Sequence, residues 1–212
     1  MPLIREWSWK GHALAAIWEI QEPEVFFKDY TGLEVDIKND RRRTEHLAGR
    51  FLLKHLQQDF PLLQIDKDPH DKPRIAQNQY FFSISHSWPY VAAVIDPRNE
   101  AGIDIQTYRR GMRQIAYKFL SEEEQKIFAD ERLLTLAWAA KEAAYKWAGR
   151  RGTDFIRHLP VTDCVVDGDQ ALIHIDISIP GNLTRVALSC LCFPDFVCAW
   201  VSEVHIPDKL HI

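Results

Sequence analysis

Charged residues interrupt every apolar run in this sequence, so no stretch is long enough to span a bilayer as a helix. The N-terminus lacks the charged, apolar and small-residue order of a secretory signal, which makes the cytosol the expected compartment. Cysteine is scarce. Only 4 occur in 212 residues, Cys164, Cys190, Cys192 and Cys198, and none forms the paired two-residue spacing of a structural zinc site. They read as reduced, buried thiols. No G-x-S-x-G elbow is present, which argues against a hydrolase triad built from Ser85, His86 and Asp104. There is no fixed-period repeat. Basic residues are not in excess either: 26 against 30 acidic, a formal net charge of -4. This balance argues against a sequence-independent hold on nucleic acid or an anionic membrane, so neither partner is expected. Any acidic partner must be met by a local basic patch.

What remains is ordinary globular material, 46% hydrophobic and 11% aromatic, enough to bury a core in one domain or two small ones. Residues 40–58 carry Leu47, Phe51, Leu52 and Leu56 at amphipathic-helix spacing with a basic face. Residues 66–79, with two prolines and several charges, read as a loop leading into strands at 80–85, 90–95 and 103–106. Ser121 and Glu124 form a capping box ahead of a short helix, and a longer helix covers 133–148 until Gly149 and Gly152 stop it. Strand-like runs follow at 164–166, 171–177, 185–192 and 197–204, with turns at Asp-Gly-Asp, Pro-Gly-Asn and Pro-Asp. The fold class is therefore α+β, with helices and an antiparallel meander in the second half and a seam near residues 106–113.

Three segments carry chemistry. In AGIDIQ the strand period of two sends Asp104 and Gln106 to one face, neighbouring oxygen donors suited to magnesium or else a solvated polar face. In FFSISHS the same period groups Phe82, Ile84 and His86 against Ser83, Ser85 and Ser87. His86 is then either a phosphate donor or a core histidine bonded to a carbonyl. In WAAKEAAYK a spacing of four stacks Trp138, Glu142 and Lys146, with Lys141 and Tyr145 adjacent. Glu142 could bind a metal or take a proton while Lys141 and Lys146 neutralise phosphate, or the helix face is simply solvated.

Taken in order, Ser85-His86-Ser87, Gly102-Ile103-Asp104-Ile105-Gln106 and Trp138-x-x-Lys141-Glu142-Ala143-x-x-Lys146 resemble the phosphopantetheinyl transferases of the type that activates peptide synthetases. Asp71-Lys72-Pro73 sits where that family has Gly-Lys-Pro, and Arg43-Thr44 heads a helix similar to the family's early arginine helix. FLSEEE from Phe119 is similar to the segment between the second and third motifs. The resemblance spans Arg43 to Gly152.

It implies two similar, pseudo-symmetric α+β subdomains, 1–106 and 107–212, each a small antiparallel sheet packed with a long helix, with coenzyme A and Mg2+ at their interface. The implied activity is transfer of the 4'-phosphopantetheine arm of coenzyme A to a serine of an acyl or peptidyl carrier protein. Asp104, Glu142 and Gln106 would hold the metal, Glu142 would also act as base, and Lys146 would stabilise the diphosphate. His86, Ser85, Lys72, Arg43 and Thr44 would hold the phosphates and nucleotide. The family's motif ends in glutamate where this chain has Gln106, which removes one negative charge from the metal site. An acidic carrier calls for a basic docking face, for which Arg109, Arg110, Arg113 and Lys118 are candidates. A site completed within one chain makes a monomer the expectation. The alternative is a degenerate, non-catalytic module that binds coenzyme A or a nucleotide.

Overall fold

The computed structural model describes residues 2–75, 79–179 and 182–205. The chain divides into two compact units, Met1–Ile105 and Gln106–Ile212.

The first unit opens with β1 (Leu3–Trp9), β2 (Ala13–Glu19), α1 (Glu24–Thr31) and α2 (Asp40–Leu56). A 3-10 turn at 62–64 leads to the short antiparallel pair β3 (Ile65–Lys67) and β4 (Pro73–Ile75), then β5 (Phe81–Ser87), β6 (Tyr90–Asp96) and β7 (Ile103–Thr107), within which the division falls. The main sheet runs β1-β2-β6-β5, with antiparallel pairing throughout. Asn39 caps α2, its side chain accepting from the Arg42 amide at 2.9 Å. The predicted apolar stripe is real: Leu47, Phe51, Leu52 and Leu56 are all buried, in one core with Ala93 and Val91 of the sheet. Each such side chain contributes roughly 1.5–3 kcal/mol when fully buried.

Gly49 sets how closely the helix lies on the sheet. A Cβ at that position would stand 2.7 Å from Ile84 Cγ2, closer than real Cβ contacts come. The backbone of α2 therefore rests directly on β5.

The second unit carries α3 (Met112–Ile115), a 3-10 turn at 116–118, α4 (Glu122–Ile127) and α5 (Glu131–Ala148), then β8 (Val161–Asp167), β9 (Gln170–Ile179), β10 (Asn182–Cys192) and β11 (Phe196–His205). Its sheet is five-stranded in the order β7-β11-β10-β9-β8, and β8 to β11 form an antiparallel meander. The Ser121–Glu124 capping box is present at the start of α4. Asp130 caps α5 by accepting from the Arg132 and Leu133 amides, both at 2.8 Å, and left-handed Gly149 ends it with an N–H bond to Tyr145 O.

The architecture is α+β with antiparallel sheets, as the pattern of elements predicts. Several boundaries differ. Residues 66–79 are not only loop, because β3 and β4 pair within 65–75; β5 extends through His86 and Ser87; and α5 begins at Glu131 because Asp130 supplies its cap. The Pro-Gly of the Pro-Gly-Asn turn lies outside the described residues. Of the cysteines, Cys190 and Cys198 are buried but Cys164 and Cys192 are only partly so, and all four are free thiols. Burial raises the pKa of Cys164, Cys190 and Cys192.

Candidate functional site

The alternation along β5 produces two different faces. Phe82, Ile84 and His86 turn towards the α2 side, while Ser83, Ser85 and Ser87, each under a tenth exposed, turn to the other. Small hydroxyls on that second face let β7 approach. Ser83 Oγ accepts from the Ile103 amide at 3.2 Å, and Ser85 Oγ donates to Asp104 Oδ1 at 2.6 Å. Asp104 is 2% exposed, so the solvated-face reading of AGIDIQ does not hold at that position. A carboxylate buried to this degree is expensive unless it is hydrogen-bonded or binds a cation, and Ser85 occupies one of its oxygens. The same bond separates Ser85 from His86 as a catalytic pair, because the hydroxyl proton goes to Asp104. A serine hydrolase triad is thereby excluded.

His86 is not a core histidine. Its side chain is 48% exposed, and Nδ1 stands 3.3 Å from Glu45 Oε2, a carboxylate that is itself almost wholly buried on α2. The other oxygen of Glu45 accepts from Arg41 Nε at 3.2 Å, and the Arg41 guanidinium lies 5.1 Å over the Trp88 ring. Two further basic residues on α2, His46 and Arg50, carry no signal in the motifs. Spacing by four places Arg42, His46 and Arg50 along one side of the helix, and that repeat was the available signal. Burial, with Arg50 and His86 nearby, pushes His46 down to about 4. Burial alone pushes Arg50 down to about 10, and among the described residues its guanidinium makes no hydrogen bond or ion pair. A half-buried, unneutralised guanidinium is a standing deficit that an anion would remove.

The remaining residues of the first unit are more committed. Lys72 is 8% exposed and its Nζ donates to Glu100 Oε2 at 2.7 Å; Arg74 meets the other oxygen of the same carboxylate. Burial lowers the Lys72 pKa against the opposing pull of Glu100. Arg43 donates to Glu24 Oε1, Ile37 O and Asp40 Oδ1 at 2.7, 2.7 and 2.9 Å, and those carboxylates, Glu24 first, hold it firmly charged. Thr44 returns its hydroxyl to Asp40 O at 3.0 Å. Arg43 and Thr44 are thus built into the first turn of α2, with their donors turned to their own surroundings.

In the second unit α5 distributes its motif over different surroundings. Lys141 is 0% exposed and its Nζ reaches Phe119 O, Glu124 Oε1 and Phe155 O at 2.8, 2.8 and 3.1 Å. Its expected part in phosphate neutralisation is therefore incorrect: the ammonium is enclosed by three acceptors and pins α4 and the 155 segment to α5. Glu142, one position on, lines a cleft of about 430 Å3 together with Lys118, Trp138, Tyr145, Asp154 and Phe155. The aromatic wall is continuous, with Trp138–Phe155 and Tyr145–Phe155 centroids 5.5 and 5.6 Å apart. Lys146 and Gln106 are partly exposed. The basic docking candidates Arg109, Arg110, Arg113 and Lys118 are all exposed, and Arg113 donates to Ala129 O. Ile115 and Tyr117 beside them are exposed apolar side chains.

Magnesium takes hard oxygen donors, and the carboxylates of Asp104 and Glu142 with the amide oxygen of Gln106 fit it in kind. Among the described residues no group of three or more His, Cys, Asp or Glu side chains gathers to hold a metal. The first unit thus offers a buried carboxylate and an arginine on α2 that no acid meets among the described residues, and the second unit, taken by itself, offers a cleft bearing a glutamate. Residues 100–200, just under half of the chain, match the family model of the 4'-phosphopantetheinyl transferase superfamily. That stretch contains Asp104, Gln106, Glu142 and Lys146, and its similarity to the superfamily is what the ordered motifs lead one to expect. No curated protein matches the chain significantly. Among the described residues no helix is long and apolar enough to cross a membrane.

Proposed function

We propose that this protein transfers the 4'-phosphopantetheine group of coenzyme A to a serine of an acyl or peptidyl carrier protein. The observation that carries the reading is Glu142, a carboxylate placed at a cleft by the helix that also bears Lys146, inside the stretch matched to the superfamily. Glu142 takes the proton of the incoming serine hydroxyl. The serine oxygen bonds to the β-phosphorus of coenzyme A, the bond from that phosphorus to the bridging oxygen breaks, and adenosine 3',5'-bisphosphate leaves with the electron pair. Lys146 and His86 stabilise charge on the diphosphate, and Arg50 supplies a further cation for phosphate. Ser85 holds Asp104. Asp104 and Glu142, with Gln106, would hold Mg2+, which when bound offsets phosphate charge. Positioning and electrostatics suffice as the protein's contribution, since phosphoryl transfer needs little covalent chemistry from it.

The test is intact-mass analysis of apo carrier proteins of fatty-acid and peptide type incubated with the protein, coenzyme A and magnesium. The expected result is a gain of one phosphopantetheine mass that disappears with a chelator. Glu142→Ala is expected to lower the rate at least about a hundredfold, the scale of lost general-base catalysis, with an unchanged circular dichroism spectrum. Full activity in that variant would remove Glu142 from its role. The second reading, a module that binds coenzyme A without turnover, is favoured by Gln106, which leaves the metal donors one negative charge short. Binding of coenzyme A with no transfer to either carrier type would select it.

A further inference from the structure

We propose that Glu45 is a positioning residue for His86, holding the ring at Nδ1 so that Nε2 is turned away from the carboxylate to face a phosphate. Three observations converge on it. Glu45 is 5% exposed, so its carboxylate has lost most of its water and must be satisfied by the groups facing it. Those groups are His86 Nδ1 at 3.3 Å and Arg41 Nε at 3.2 Å. Third, the close approach of Gly49 to Ile84 fixes the distance between α2 and β5. Glu45 lies one turn before Gly49, and His86 lies two residues beyond Ile84 on the same face of the strand, so the contact that sets the packing also sets this pair.

The two nitrogens of an imidazole lie on opposite sides of the ring, and the partner of one decides what the other offers. A carboxylate at Nδ1 keeps a proton there. A phosphate at Nε2 then faces an imidazolium held between two anions, which donates a charge-assisted hydrogen bond on each side. Near the ring on α2 stand Glu45, at Nδ1, and His46, which its pKa of about 4 leaves neutral at pH 7, with Arg41 bonded to Glu45 and Arg50 next to His46. Glu45 is the acid beside Nδ1, and its place there favours the proton on that nitrogen. Arg41, braced on Trp88, holds the carboxylate from its other side.

The inference rests on the proposed function for the identity of the phosphate but not for the state of the ring. The experiment therefore has two arms. The first reads the 15N signals of His86 in the ligand-free protein and in Glu45→Met, which removes both charge and acceptor at similar volume. The wild-type ring is expected to carry its proton on Nδ1, and the variant to move towards the Nε2–H tautomer. The second measures coenzyme A affinity by calorimetry in wild type, Glu45→Met, His86→Ala and the double variant. The Glu45 substitution is expected to weaken binding about tenfold, the order of one charge-assisted hydrogen bond, and to have no further effect once His86 is absent. Should Glu45→Met fold poorly, Glu45→Gln keeps the shape and is expected to give a smaller shift in both arms. Unmoved His86 signals, or an equal loss of affinity with and without His86, overturn the proposal. If the protein binds no coenzyme A, the proposed function fails and the first arm alone decides whether Glu45 sets the ring.

Discussion

Replacing Lys141 by methionine separates a structural lysine from a phosphate-binding one. The ammonium is wholly enclosed and donates to two backbone carbonyls and to Glu124 Oε1, which also accepts from the Val161 amide at 2.7 Å. Methionine fills the stem's volume but leaves Glu124, itself 5% exposed, as an uncompensated buried charge. Breaking a buried pair from one side costs about 3–5 kcal/mol, a large share of a domain's total stability. At about 2–4 °C per kcal/mol for a chain of this size, the melting temperature is expected to fall by about 6–20 °C. The double variant Lys141→Met, Glu124→Gln is expected to recover part of that loss. Glutamine keeps the acceptor of the Ser121 capping box and removes the stranded charge. Thermal unfolding followed by circular dichroism or calorimetry reads both. A single variant that loses less than about 1 kcal/mol, or a double variant no better than the single, would refute a buried pair as Lys141's role.

Arg50→Met is expected to keep or raise the melting temperature, because it removes a desolvated cation that no acid among the described residues offsets, while weakening coenzyme A binding about tenfold or more. A stability loss with unchanged affinity would contradict the anion-site reading. His46 is held at about 4, below its ordinary 6.5, so the folded chain binds fewer protons there than the unfolded chain. Its contribution is present in full above 6.5 and is lost as pH falls from 6.5 to 4, with a ceiling of about 3 kcal/mol that partial exposure reduces to about 1–2. Urea midpoints at pH 7, 5.5 and 4.5 should fall more in wild type than in His46→Leu; parallel losses would reject the assignment. Gly49→Ala gains helix propensity but pushes a methyl into Ile84, and a net destabilisation of about 1–2 kcal/mol is expected in urea unfolding. An equally stable variant would show that α2 can lift off β5 without cost.

The elements that sequence reasoning recovered are those whose signal is local. The period of two in FFSISHS assigned the serine and histidine faces, and the Ser121–Glu124 spacing marked a real cap. The first 39 residues gave no such signal. In β2, ALAAIWE is rich in alanine, a residue depleted in strands, yet it sits between β1 and β6, where burial against neighbours outweighs propensity. Side-chain partners distant in sequence were equally illegible. Glu124 is 17 residues from Lys141, and Glu24 is 19 from Arg43. Read along the chain, Arg43 and Lys141 are motif cations; in the fold, acids from other elements have already claimed them. Arg50 errs in the opposite direction, an unremarkable helix arginine by sequence that meets no acid among the described residues.

The motif on α5 shows why adjacent residues of one signature need not share a role. Successive side chains on a helix point about 100° apart, so Lys141 and Glu142 cannot both face the same surroundings. Lys141 turns into the core, where Phe119, Glu124 and Phe155 surround it; Glu142 turns to the cleft between Trp138 and Tyr145. Phe155 is common to both, since its carbonyl holds Lys141 and its ring forms part of the cleft wall. Lys141 therefore anchors the wall of the cleft that Glu142 lines. On the proposed function, a variant at Lys141 is expected to lower activity by loosening that wall and to lower stability with it, whereas a variant at Glu142 is expected to lower activity alone.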